Sequence, residues 1–215
     1  MNAMISGSHN AVVEDIAAMG WAALSADELV DVAWAYYFFS VQFRESLMAA
    51  RALFPDDEYL KTLAREECHT SNLSPWPGVA SPGEKMNHDE FMRRVLSREP
   101  VSPERRARLE GIGKAYLHTT RGLSRQAQAL SISSYEDGGL EAVFRAFLTA
   151  PQWDGSLLQG FRHFLTEHIR FDSDPDAGHG ALSRHLPPDE SVVALWVAFR
   201  DLLLQAVPTL SPQSV

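Results

Sequence analysis

The chain has 215 residues, 45% hydrophobic and 22% charged, which is ordinary globular usage and enough apolar material for one sizeable core. A formal net charge of -9, with basic residues scattered and not striped, argues against a nucleic-acid partner. A single cysteine, Cys68, excludes an intrachain disulfide and a cysteine-built metal cage. There is no basic-then-apolar leader and no apolar run of about eighteen residues, so a cytoplasmic protein with no membrane partner is expected.

Residues 1–10 read as a disordered N-terminus, 11–208 as one helical domain and 209–215 as a frayed tail. After a short segment around Ala11 to Met19, Ser25-Ala26-Asp27-Glu28 is a capping box, and the helix it opens can run to Phe54 before Pro55. Its middle, from Trp34 to Phe39, is apolar nearly all round, which suits a central buried helix and a possible substrate wall. Pro55-Asp56-Asp57-Glu58 breaks that helix and starts another whose inner face includes Leu60 and Leu63. Glu66 and Glu67 fall near its far end, where a carboxylate opposes the helix dipole, a local misfit that points to function.

Asn72 to Lys85 holds three prolines and two glycines and reads as a long loop. Asn87 then caps a short helix that begins at His88. Ser102-Pro103 opens a basic helical stretch to Leu130, weakened by Gly111, Gly113 and Gly122 into one bent helix or two. The pair Gly138-Gly139 should kink or restart the chain directly after Glu136. A helix from Ser156 to Asp172 offers Leu158, Phe161, Leu165 and Phe171 to the core, with His163 a surface or core residue. Pro187-Pro188-Asp189-Glu190 starts a last helix that ends near Pro208. No segment alternates as a strand, so the chain is expected to be all-α, a bundle of about seven helices.

The densest chemistry lies between Glu167 and Gly180. His168 and Asp172, at i and i+4, project from one helical face. His179 reaches them only if the chain leaves the helix and re-enters, and Pro175 and Gly178 stand where that break is needed. Imidazole mixed with carboxylate suits a first-row transition metal. An EF-hand calcium loop beginning at Asp172 fails, with Ala177 at its sixth position and Ser183 at its twelfth. Glu66-x-x-His69 gives one ferritin-like pair, but no second pair exists.

In motif order over Glu66 to Leu182 the chain resembles the haem-oxygenase-like di-iron oxidases and oxygenases, relatives of the TenA and pyrroloquinoline-quinone-synthase helical proteins. The matching pieces are Glu66 or Glu67, Asn87-His88-Asp89-Glu90-Phe91, Tyr135-Glu136-Asp137, His168 to Asp172, and His179-Gly180-Ala181-Leu182. It departs from that pattern in a longer segment between Asp172 and His179 and a longer loop before His88. The resemblance implies a haem-oxygenase-like bundle with two iron ions on Glu66 (or Glu67), His88 (with His69 as its rival), Glu136, His168, Asp172 and His179. It implies an oxidoreductase that takes dioxygen and a small amine, amino acid or fatty-acid derivative, and a homodimer. Glu136 is expected to bridge. The iron position beside Asp172 and His179 is expected to be the weaker one, with His179 turned away until metal arrives. The competing expectation is a metal-free TenA-like enzyme or a binding module of the same fold.

Overall fold

Ser25 organises the central helix as its sequence predicts: its Oγ accepts from the Glu28 amide at 3.3 Å, and Glu28 Oε2 accepts from the Ser25 amide at 2.9 Å. The computed structural model describes residues 8–172 and 179–211, and of Asp172 the backbone only. Within these residues the chain forms α1 (His9–Ala17), α2 (Ala26–Leu53), α3 (Glu58–Glu67), α4 (His88–Leu96) and α5 (Pro103–Arg121). It continues through α6 (Arg125–Glu136), α7 (Gly139–Phe147), α8 (Ser156–Asp172), α9 (His179–Ser183) and α10 (Val193–Ala206). The described residues contain no strand beyond the isolated bridges Thr70 with Met86 and Trp76 with Ala80.

The protein is therefore all-α, but with ten helices among the described residues where about seven were expected. The excess comes from breaks that local chemistry enforces. Gly122 ends α5, and Ser124 caps α6 by accepting from the Ala127 amide at 3.0 Å. Asp137 leaves the helical path after Glu136, and Gly138 at φ +91°, a left-handed conformation that suits glycine, turns the chain into α7. The C-terminal boundary also needs correction: Leu210 is fully buried and Thr209 donates to Glu28 at 2.6 Å, so these two residues are held and not frayed. Phe171, expected in the core, is only half-buried.

Every residue from Leu29 to Tyr36 is buried, because α2 packs against α3, α4, α5, α6, α8 and α10. Its aromatic run seeds the core. The Tyr36 ring meets Phe144, Phe161 and Phe164, and the Phe39 ring lies 4.2 Å from Phe199 and 5.1 Å from Tyr135. A buried amide locks the register of three helices: Gln42 Oε1 accepts from Tyr116 at 3.1 Å and Tyr135 at 3.4 Å, while its amide donates to Ser46 at 2.6 Å. That bond to Tyr135 fixes the end of α6, where Glu136 follows.

Gly113 is the place where α5 comes closest to α2. A Cβ there would stand 2.0 Å from the Phe38 ring, so Gly113→Ala forces helix or ring to move. Despite the better helix propensity of alanine, this change is expected to destabilise the protein by about 1–3 kcal/mol. Urea unfolding would check it; an unchanged or raised midpoint would refute the close approach. No helix among the described residues is long and apolar enough to cross a membrane.

Candidate metal centre

Two helix ends bring carboxylates to one place. Glu67 is the last residue of α3 and Glu136 the last of α6, so both face the negative ends of their own helix dipoles. Both are nevertheless buried, at 3% and 6% exposure, a placement that stabilises nothing locally and favours a cation between them. His88 opens α4, His168 sits near the end of α8 and His179 opens α9; all three are buried.

The side chains form two groups that share Glu67. Glu67 with His88 and His168 is one, and Glu67 with Glu136 and His179 is the other, each with its ligand atoms within 4.8 Å of one another. Glu67 offers a different oxygen to each. Its Oε2 lies 2.8 Å from His88 Nδ1, and its Oε1 lies 2.6 Å from His179 Nδ1, which is also 3.4 Å from Glu136 Oε2. The residue common to the two groups is therefore Glu67, and not Glu136 as expected from the sequence.

Each imidazole is aimed by a neighbour. His168 Nδ1 donates to the Phe164 carbonyl at 2.8 Å, which fixes the tautomer and turns the lone pair of Nε2 inward, 3.1 Å from His88 Nδ1. His88 Nε2 faces Asn72 Oδ1 at 3.4 Å, and His179 Nε2 faces Glu66 Oε2 at 3.6 Å. Asn87 was expected to cap α4; it stands at that position, but its Oδ1 accepts from the His69 amide at 2.9 Å. That bond ties the end of α3 to the start of α4, and so ties Glu67 to His88. Burial would raise the Glu67 carboxyl, yet the imidazoles of His88 and His179 against it hold it well below the usual carboxylate range. Burial, with His88 beside it, pushes His168 down to about 3.

The donor set fits a metal ion. Three acceptor-bearing atoms, Glu67 Oε2, His88 Nδ1 and His168 Nε2, converge, and one proton on His88 Nδ1 can lie in line with only one neighbour. A cation at their centre satisfies all three. Two imidazoles with a carboxylate, and one imidazole with two carboxylates, suit a first-row transition metal better than calcium or magnesium. Beside Glu67, His88, His168 and Glu136 lies a space of about 20 Å³, walled also by Tyr36, Ser40, Phe43, Leu140 and Phe164. It has room for roughly one water-sized molecule.

No family model matches the chain, and neither a curated protein nor a solved structure matches it.

Of the residues singled out in the sequence, His88, Glu136, His168 and His179 come together. Glu66 is on the rim with its side chain 48% exposed, facing the outer nitrogen of His179, while Glu67 takes the inner position. Helical spacing carried the signal for that choice, since Glu67 lies four residues from Leu63 and seven from Leu60, both buried, whereas Glu66 turns off their face. His69 is exposed at φ +56° and belongs to neither group. His179 is packed against the carboxylates and not turned away. Asp172 continues α8 in backbone, and its side chain, like the segment 173–178, lies outside the described residues. Of the aromatic run, Tyr36 reaches this space, while Trp34, Tyr37 and Phe38 line another cavity.

Proposed function

We propose that this protein is a non-haem di-iron oxidase or oxygenase of haem-oxygenase-like fold, using dioxygen to oxidise a small organic substrate. The observation that carries the reading is Glu67, a buried carboxylate with one oxygen toward His88 and the other toward His179, the disposition of a bridge between two cations. Glu67, His88 and His168 would hold one ion, and Glu67, Glu136 and His179 the other, with Asp172 one helical turn beyond His168 as a further candidate ligand. Two ferrous ions there would supply the electrons for dioxygen reduction.

The chain's own residues do the rest. His168, kept neutral by burial and oriented by Phe164, presents a lone pair without first losing a proton. Glu66 stands outside His179, 3.6 Å from its Nε2, where its charge favours the imidazole. Tyr36, Phe43, Leu140 and Phe164 keep bulk water from the space beside the ligands. That space is far smaller than the roughly 300–1,000 Å³ of ordinary small-molecule sites, so a substrate must displace side chains to enter it. Besides substrate and dioxygen, the reading includes a second copy of the chain as partner, which light scattering tests.

Anaerobic loading with ferrous ion, followed by metal analysis and Mössbauer spectroscopy, tests the centre. The expected result is two iron ions per chain and dioxygen uptake that a panel of amines, amino acids and fatty acids accelerates selectively. Absence of iron binding would leave a metal-free enzyme or binding module.

A further inference from the structure

A second cavity lies away from the candidate metal centre. It measures about 510 Å³ and opens between α2, α4 and α5, where Trp34, Tyr37 and Phe38 form an aromatic wall. On an ideal helix these side chains are turned by about 100–200° from Tyr36, so the cavity lies on another face of α2 from the metal ligands. Its size is that of a small-molecule site.

We propose that this cavity binds an organic anion with an aromatic or alkyl body, at a site separate from the metal centre. Its lining includes Arg93, Arg106, Lys114 and Glu110; Arg93 is paired with Glu90 at 2.7 Å, which leaves Arg106 and Lys114 against Glu110, one more cation than anions in a chain whose overall charge is -9. Glu110 accepts from Arg106 at 2.7 Å and from Lys114 at 3.3 Å, so one carboxylate is shared between two cations. A ligand carboxylate or sulfonate completes that balance. Aromatic walls also attract cations, but the place over Trp34 is already taken by the Arg106 guanidinium, 6.0 Å from the ring centroid, and a second cation would be repelled. The Trp34 indole N–H, in the same wall, is buried and has no acceptor among the described residues.

The apolar half of the ligand is set by the same wall. Leu96, Pro100 and Val101 line the cavity together with the three aromatic rings, so the body is expected to be apolar. Metal ligands contribute nothing to this lining, and the proposal stands whether or not iron binds.

Fluorescence titration with 8-anilinonaphthalene-1-sulfonate tests the assignment, with octanoate and octyltrimethylammonium as competitors. One saturable site is expected, displaced by octanoate and not by the ammonium. Arg106→Ser combined with Lys114→Ser changes two exposed side chains and should weaken the probe at least about tenfold, the scale of one lost charge-assisted contact. Val101→Trp, which fills the cavity, should abolish binding, and circular dichroism checks that this variant folds. Glu67→Ala should leave the probe affinity unchanged. Undiminished binding in the double serine variant, equal displacement by the ammonium, or loss of the probe in Glu67→Ala would each overturn the proposal, as would absence of saturable binding.

Discussion

Glu67→Ala is expected to lower the iron content from two ions per chain to none, while Glu136→Ala lowers it to one and Glu66→Ala leaves two. The three outcomes differ because the three carboxylates stand differently. Glu67 reaches both imidazole groups, one oxygen to each, so its loss removes a negative charge from both positions at once. Glu136 belongs to the group of His179 alone. Glu66 meets His179 at its outer nitrogen, 3.6 Å away, and its removal should weaken the second ion by about 10- to 100-fold without abolishing it. Metal analysis after anaerobic loading and desalting reads the numbers directly. Two ions retained in Glu67→Ala would end the bridging assignment.

The same variants separate binding from folding. Ferrous ion at about a hundred times its dissociation constant stabilises the native state by about 2.7 kcal/mol per site if the unfolded chain does not bind it. The wild-type thermal midpoint should therefore rise with iron. That of Glu67→Ala should not, and its metal-free midpoint is expected to fall, because the imidazoles of His88 and His179 stabilise this carboxylate in the folded state.

How much of this was legible beforehand depended on whether the signal was local. The capping box of Ser25 and Glu28, the restart after Glu136 and the start at Ser102-Pro103 are set by neighbours in sequence, and the structure has them. Glu67 could have been chosen over Glu66 from Leu60 and Leu63, because burial of one helical face is a periodic signal. The diversion of Asn87 from its own helix to the His69 amide was not readable, since it depends on how α3 and α4 meet across a loop of twenty residues, 68–87. The large cavity was hidden for a different reason. From Trp34 to Phe39 the central helix is apolar on every side, so no periodicity says which rings face the ligands and which face Arg106 and Lys114.

The two iron positions are expected to fill in order, the one at His88 and His168 first. His168 is aimed by the Phe164 carbonyl, and Glu67 and His88 are tied together through Asn87 and His69, so this geometry is held by the fold before an ion arrives. The other position has His179 in place, which removes one reason for weakness expected from the sequence. Two others remain. His179 opens a helix of five residues, too short to be stable except through its contacts, and the first cation already draws on the charge of Glu67 that the second must share. Adding one equivalent of enriched ferrous ion should therefore give a Mössbauer spectrum dominated by a single environment, and the second equivalent should add another. In His179→Ala the first environment should survive unchanged, whereas His88→Ala should lose it. Two environments populated equally from the first equivalent onward would show that neither position is better prepared than the other.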